Sequence, residues 1–473
     1  MVLAPPHTAG YCWGRPGKGQ TIPNDARMAD GTIDPPFQDS HRLVTAERIL
    51  LVLGMLVLFF NARFPAGDGM QRYEALGQLL EGRGFSETGY SMIGPIFATP
   101  LWYLGKLLGS TRWWVGKFNF FVFLIGVLWL WRMLKPHMSA SFLRKFILLL
   151  MAASMFGGAT MFFYGEMFTT ILVAGGIVAL SFRPSLLAWT AIIIGVQNTP
   201  ATLIGLAFFA LFYAYHQRRL RYLLAPVVAL LLMVAENWLL RGSPFLSGYE
   251  GQAGFETLMP YSGQPGFSYP FLLGVLSIFL SFGKGLLFFA PGLFVPVRQK
   301  LKSLHPSLTL AYTSWVVFLV GIVVVYGKWW GWYGGWYWGP RFFLIASVIS
   351  CFVIAVYLVR PSTKAVVNLI VLTVLGWSSW VGLNGLMFVQ QGLEICIDNQ
   401  SRLELLCWYV PEFSVLIHPF VEPWAWTGEQ LAGSAYVAMT AAVLAVPLST
   451  LIIRQLAGRL QDWFDEARKG WRI

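Results

Sequence analysis

Charge is what this sequence has least of. Only 12% of its 473 residues are Asp, Glu, Lys or Arg, while 56% are hydrophobic. A soluble protein carries about 25% charged residues, so an ordinary soluble enzyme is excluded. Cysteine is scarce as well: Cys12, Cys351, Cys396 and Cys407 are too few for a disulfide scaffold. Cys396 and Cys407 share one polar loop and would pair only where that loop faces an oxidising compartment; two free thiols are the equal alternative. No G-x-x-x-x-G-K-[ST] loop occurs, which leaves ATP-driven transport without support.

Apolar runs are what the chain has in plenty. They recur at roughly 15 to 25 residues, enough to cross a hydrocarbon core of about 30 Å. Their length and lack of strict alternation argue against an outer-membrane barrel. The predicted class is an all-α integral membrane protein. The net charge of +12 fits basic loops that orient such a protein better than it fits a nucleic-acid partner. Residues 1–43, rich in Pro, Gly and polar side chains, read as a disordered cytoplasmic tail. The first apolar run starts near Ala46, too far along for a signal peptide, and is expected to stay as a span.

The basic clusters thread the spans. They are Arg132, Lys135, Arg144 and Lys145; Arg183; Arg218, Arg219 and Arg221; Arg298, Lys300 and Lys302; Arg360 and Lys364; and a basic tail over 454–473. With all of these cytoplasmic, the runs between must cross in pairs. Spans are predicted at 46–61, 113–131, 146–163, 167–182, two short ones within 186–215, then 222–240, 271–297, 308–327, 341–359, 365–388 and 432–453. The run 94–109 has two prolines, three glycines and Lys106, and is expected to lie on the outer face without crossing. This gives about twelve spans within a transmembrane domain over 44–453 and both termini cytoplasmic. The large outer segments are 62–112, 241–270 and 389–430.

In the first outer segment, Met70, Tyr73, Leu76 and Leu80 recur at helical spacing, with Arg72, Glu74, Gln78 and Glu81 on the other face. The pattern predicts a short amphipathic helix. Asp68 stands near its N-cap. This arrangement and the runs "RYEALGQLLEGRGF", "YSGQPGFSYPFLLG", "SFGKGLLFFAPG" and "WWGWYGGWYWGPRF" resemble the GT-C glycosyltransferases, most specifically in the first loop and in "GPRF". The nearest branch is that of the protein O-mannosyltransferases and the lipid A aminoarabinose transferase. The resemblance covers most of residues 46 to 345. It implies a GT-C-like helical fold in a bacterial inner membrane, working on the cell envelope. It further implies transfer of a sugar from polyprenyl phosphate to an acceptor hydroxyl, with inversion, on the periplasmic or extracellular side. The acceptor could be a glycolipid, a polysaccharide precursor or a protein. Some members use a divalent cation and others none, so that cofactor stays open.

The resemblance makes Asp68 the catalytic base. Family members often carry Asp-Glu-x-Arg-Tyr, whereas Asp68 here lies one residue further from Arg72 and Tyr73. A lipid phosphate leaves without an acid, so one carboxylate suffices, unlike a glycosidase pair. Glu166, at an outer turn, is a second candidate for the reaction or for holding a cation. Arg341, Lys328 and Lys284 are candidates to meet the departing phosphate, and Arg72 and Tyr73 are further substrate contacts. The loop "KWWGWYGGWYWGPR" holds seven Trp or Tyr residues between Trp329 and Trp338. A plain interfacial aromatic belt would explain it; Trp332, Tyr333 and Trp336 would equally suit a sugar ring or an isoprenoid. The loop 247–270, with Glu250 and Glu256, is a candidate lid. The loop 389–430, with Glu394, Asp398, Glu404, Glu412 and His418, is a candidate for acceptor recognition and has no metal-ligand spacing. A secondary transporter or flippase should show related halves and ionisable groups at the midplane, and neither is evident. A non-catalytic assembly subunit is the third reading.

Overall fold

A computed structural model describes residues 39–86, 88–387, 396, 402–421 and 427–470. The expected tail 1–43 lies outside these residues up to position 38. Its last residues are already ordered: Ser40 caps helix α1 (His41–Asn61) by accepting from the Leu43 amide at 3.3 Å.

Among the described residues the regular structure is helical, with one isolated bridge between Ala253 and Pro265. Six helices are long and apolar enough to cross a bilayer. In chain order come α1, then four short helices α2 (Asp68–Leu80), α3 (Ile93–Phe97), α4 (Thr99–Leu108) and α5 (Thr111–Gly116). They are followed by α6 (Phe118–Leu134), α7 (Ala140–Ala152), α8 (Phe156–Thr160), α9 (Gly165–Phe182), α10 (Leu186–Asn198), α11 (Leu203–Gln217) and α12 (Leu224–Arg241). Then come α13 (Phe271–Leu280), α14 (Leu286–Phe289), α15 (Arg298–Leu304), α16 (Pro306–Tyr326), α17 (Ile345–Val359) and α18 (Ala365–Met387). A long helix, Gly428–Gly470, ends the described chain.

Each predicted span meets a helix, with three differences. The run 146–163 is broken: α7 stops at Ala152 and α8 starts at Phe156, with Ser154 Oγ turned back onto the Leu150 carbonyl at 2.6 Å and the Met155 amide donating to Ser347 Oγ at 3.3 Å. The run 271–297 is broken more severely, into α13, α14 and a 3-10 turn over Pro291–Phe294. Gly283 sits in that break; a Cβ there would lie 1.8 Å from the Cys407 carbonyl, so only glycine admits the close approach. The last helix does not stop near 453 but runs on through the basic segment.

The segment 94–109 forms α3 and α4. The ten residues of α4 span about 15 Å, half of what a crossing needs. With α2 and α5 they wrap a small core of Leu76, Ala98, Trp102 and Val115.

The bundle has two distinct ends. At one, Arg144 Nε meets Glu47 Oε2 at 2.5 Å, and Lys145 Nζ meets Glu47 Oε1 at 2.7 Å and Asp39 Oδ1 at 2.8 Å. Arg144 and Lys145 are therefore buried and paired, not free loop charges as their cluster suggested. At the same end His137 stacks on Phe182 at 4.4 Å, and Lys300 donates to the Arg360 carbonyl at 2.7 Å. Gln455 reaches the Ser362 carbonyl at 3.0 Å, so the long last helix also passes this end. α1 runs from here to the opposite end, where Asp68 follows within seven residues of Asn61.

Candidate active site

Gly67 turns the chain out of α1's end into α2 with φ +54°, in the left-handed region that favours glycine. A Cβ at 67 would also come within 2.9 Å of the Tyr164 hydroxyl. The turn makes Asp68 the first residue of α2 rather than its cap, a favourable place for a carboxylate at a helix N-terminus. Asp68 Oδ2 lies 2.7 Å from the Arg341 guanidinium, which enters from the 3-10 turn preceding α17. Glu166, in the first turn of α9, places Oε1 3.5 Å from Arg341 Nε. Arg341 also lies over the Tyr164 ring, 5.0 Å from its centre. Three positions more than ninety residues apart in sequence thus share one charge cluster. It stays open to solvent: the Asp68 side chain is 29% exposed, and those of Arg341 and Glu166 are each 14% exposed.

Electrostatics bind the cluster. Burial works to raise the Asp68 pKa, but the Arg341 charge outweighs it, with hydrogen bonds from Arg341 and Tyr90 and the charge of Arg72. The carboxyl is held below its usual range. Burial equally disfavours the Arg341 charge, and Glu166 and Asp68 overcome it, so the guanidinium pKa moves up. Burial pushes the Tyr164 hydroxyl up to about 12. Glu166 Oε2 and Arg341 Nε are buried without a hydrogen-bond partner.

Two small hollows meet at Glu166. One is walled by Tyr164, Tyr337, Arg341 and Leu344. The other is lined by Thr169, Thr170, Thr199 and Phe342. Among the described residues no three His, Cys, Asp or Glu side chains gather as a metal site. Asp68 and Glu166 flank the Arg341 guanidinium.

The other sequence candidates divide. Arg72 is at the cluster's edge, buried, with its guanidinium 4.8 Å from the Tyr90 ring centre and 3.4 Å from both the Ser91 carbonyl and Asn198 Oδ1. Tyr73 points elsewhere, into a 2.7 Å hydrogen bond with Thr111 and a contact with Trp102. Lys328 is exposed at the end of α16. Lys284 is fully buried and donates to the carbonyls of Gly335, Tyr337 and Gly339, so it clamps the aromatic loop instead of presenting a charge to a phosphate. The loop divides two spaces: Tyr337 faces the hollow beside Arg341, while Trp332 and Tyr333 line a separate pocket with Trp408. Trp336 packs against Trp408 with ring centres 5.8 Å apart. Cys396 and Cys407 are joined in a disulfide. Glu394 and Asp398 lie outside the described residues.

Sequence reading missed the residues that hold the site in place. Asn198 accepts from the Gly94 amide at 3.0 Å and donates to the Gly165 carbonyl at 2.8 Å, tying α10 to α3 and α9. Glu236, on α12, accepts from Ser91 Oγ at 2.9 Å, the Met92 amide at 2.8 Å and Gln197 at 3.1 Å. Asn119 donates to the Phe162 carbonyl at 2.5 Å and the Tyr164 carbonyl at 3.0 Å. The available signal was a lone polar residue inside an apolar run, which marks function or positioning by default.

No protein-family description matches the chain, and no curated protein matches it. Among solved structures it is similar to ArnT from Cupriavidus metallidurans bound to undecaprenyl phosphate, at TM-score 0.46 and 15% identity, over 89% of this chain and 79% of that one. The apo state of the same protein gives 0.45 and 15%, over 86% and 77%.

Proposed function

We propose that the chain is a membrane glycosyltransferase that moves a sugar from a polyprenyl-phosphate sugar to an acceptor hydroxyl, with inversion and with Asp68 as the base. The observation that carries this reading is the meeting of Asp68 with Arg341, at 2.7 Å, in a hollow shared with Glu166. In the reaction the acceptor oxygen attacks the anomeric carbon while the bond from that carbon to the phosphate oxygen breaks. The acceptor proton passes to Asp68, and the lipid phosphate leaves with one more negative charge. A guanidinium suits that charge because it offers two parallel donors to phosphate oxygens. Bound phosphate would also draw Arg341 from Asp68, restoring basicity that the ion pair suppresses. Glu166 would retain the guanidinium near the site between turnovers. In this reading Arg341 supplies the positive charge for which other members of the resembling family recruit a divalent cation.

The basic turns gather at the end of the bundle remote from Asp68. By the positive-inside bias the site then faces away from the cytoplasm, with both ends of the helical domain cytoplasmic. That is where a bacterial inner-membrane enzyme would meet a donor flipped to the outer leaflet. Transport of lipid-linked sugars would call for ionisable groups midway along the spans; the charged clusters instead lie at the two ends. The test is reconstitution of the full chain with a panel of radiolabelled polyprenyl-phosphate sugars. Loss of label from at least one donor into a new product is expected; no consumption of any donor would reject the reading.

A further inference from the structure

A second hollow, of about 440 Å³, lies across the aromatic loop from Arg341 and takes no part in the chemistry above. It opens to solvent and has the character of a ligand site: mostly aromatic walls with a few convergent polar groups. The rings come from Trp330, Trp332, Tyr333 and Trp408, with Tyr333 stacked on Trp408 at 4.8 Å. Glu404 enters from the short helix Glu404–Tyr409 and is only 6% exposed. Tyr333 and Trp408 reach the Glu404 carboxylate from inside this wall, yet Glu404 Oε2 keeps unused acceptor capacity and the Trp330 indole nitrogen is buried without a partner. Buried polar groups are ordinarily paired, so an acceptor and a donor left open in one aromatic wall suit a polar ligand.

These open atoms constrain that ligand. An acceptor and a donor cannot both be met by an ammonium group, which has no acceptor for the indole N–H. A phosphate would accept from the indole but oppose the carboxylate. An alkyl chain would satisfy none of them. A ring bearing several hydroxyls both donates and accepts, and its C–H face packs on aromatic rings.

The pocket shares a wall with the Asp68 cluster. A Cβ on Gly334, next to Tyr333, would lie 3.0 Å from Arg341 Cγ. Lys284 fastens residues 335 to 339 from behind while its ammonium sits 4.7 Å over the Trp408 ring. We propose that this hollow binds a pyranose ring of the acceptor, with the rings of Tyr333 and Trp408 packing on its face, Glu404 accepting from a ring hydroxyl and the indole of Trp330 donating to another. That the ring belongs to the acceptor rests on the glycosyl-transfer reading; that the pocket binds a saccharide does not.

Tryptophan fluorescence of the purified full chain, titrated at pH 8 with a panel of methyl pyranosides and with butylammonium, tests this. At least one pyranoside should quench saturably, and butylammonium should not. Glu404→Gln, which exchanges a charged for a neutral hydrogen bond, should weaken that binding about tenfold. Trp330→Phe, which keeps the ring and removes the N–H, should weaken it several-fold. Saturable binding of butylammonium that Glu404→Gln abolishes, or no response to any pyranoside, would overturn the proposal. Pyranoside binding without donor turnover would keep the pocket and remove the transfer reading. Turnover with an acceptor KM that neither substitution moves would keep the transfer reading and remove the pocket.

Discussion

Gly67 carries two demands at once: a backbone angle of φ +54° and a close approach to Tyr164. Gly67→Ala is expected to cost about 1–3 kcal/mol, read as a lower Tm, and to cut transfer by displacing Asp68; a variant with wild-type Tm and activity would show that the turn is not strained. Glu404 has its own signature. Burial pushes its carboxyl from 4.5 up to about 7, against hydrogen bonds from Tyr333 and Trp408 and the charge of Lys284. Between those values the folded chain holds more protons than the unfolded chain, so stability falls as pH rises through that window. The loss is on the order of 3 kcal/mol. Tm measured from pH 4.5 to 7.5 should therefore fall more steeply for wild type than for Glu404→Gln, and parallel curves would contradict the burial of a charge there. At this scale Asp68 was singled out by the resemblance, and Glu166 and Arg341 because a charged residue beside an apolar run needs a reason to be there. The role of Lys284 was not legible, since its three carbonyl partners come from about fifty residues further on.

At the scale of elements, the clamp of Lys284 on the 335–339 backbone is what keeps the aromatic loop as a wall. Lys284→Met leaves three carbonyls without their donor. It should make the loop 329–340 cleavable by a protease that spares wild type, and lower transfer while α2 and α17 remain intact. Equal resistance in both proteins would assign the loop's rigidity to ring packing alone. Helical periodicity gave α2 from Met70, Tyr73, Leu76 and Leu80. Shortness and two prolines marked α3 and α4 as non-crossing. The break between α7 and α8 had no such mark, because the run 146–163 is apolar throughout. It is made by tertiary contacts, Ser347 on the Met155 amide and a close approach of Gly382 to the Ala152 carbonyl. The break after α13 did carry signals in Gly283, Lys284 and Gly285, but a count of apolar residues reads through them.

Across the whole molecule, charge is segregated to the two ends of an apolar bundle. The far end is locked by Asp39, Glu47, Arg144 and Lys145, all buried. Removing one member strands its partners in low dielectric, so Glu47→Gln should destabilise by about 3–5 kcal/mol. Thermal unfolding in detergent would show this, and the folded fraction should keep its specific activity because the site lies at the opposite end. The membrane class followed from composition alone, and the basic turns predict which end of the helical domain is cytoplasmic. The meeting of residues 68, 166 and 341 agrees with an outer-face cavity expected from the resemblance, although spacing along a chain does not by itself say which helix ends meet.

The most direct measurement is single-turnover transfer from a labelled polyprenyl-phosphate sugar by wild type and by Asp68→Asn, with both shown to be folded by equal Tm within error. Loss of a general base predicts a fall of at least about 10²-fold in the variant. Transfer by Asp68→Asn at the wild-type rate would contradict the account at its centre.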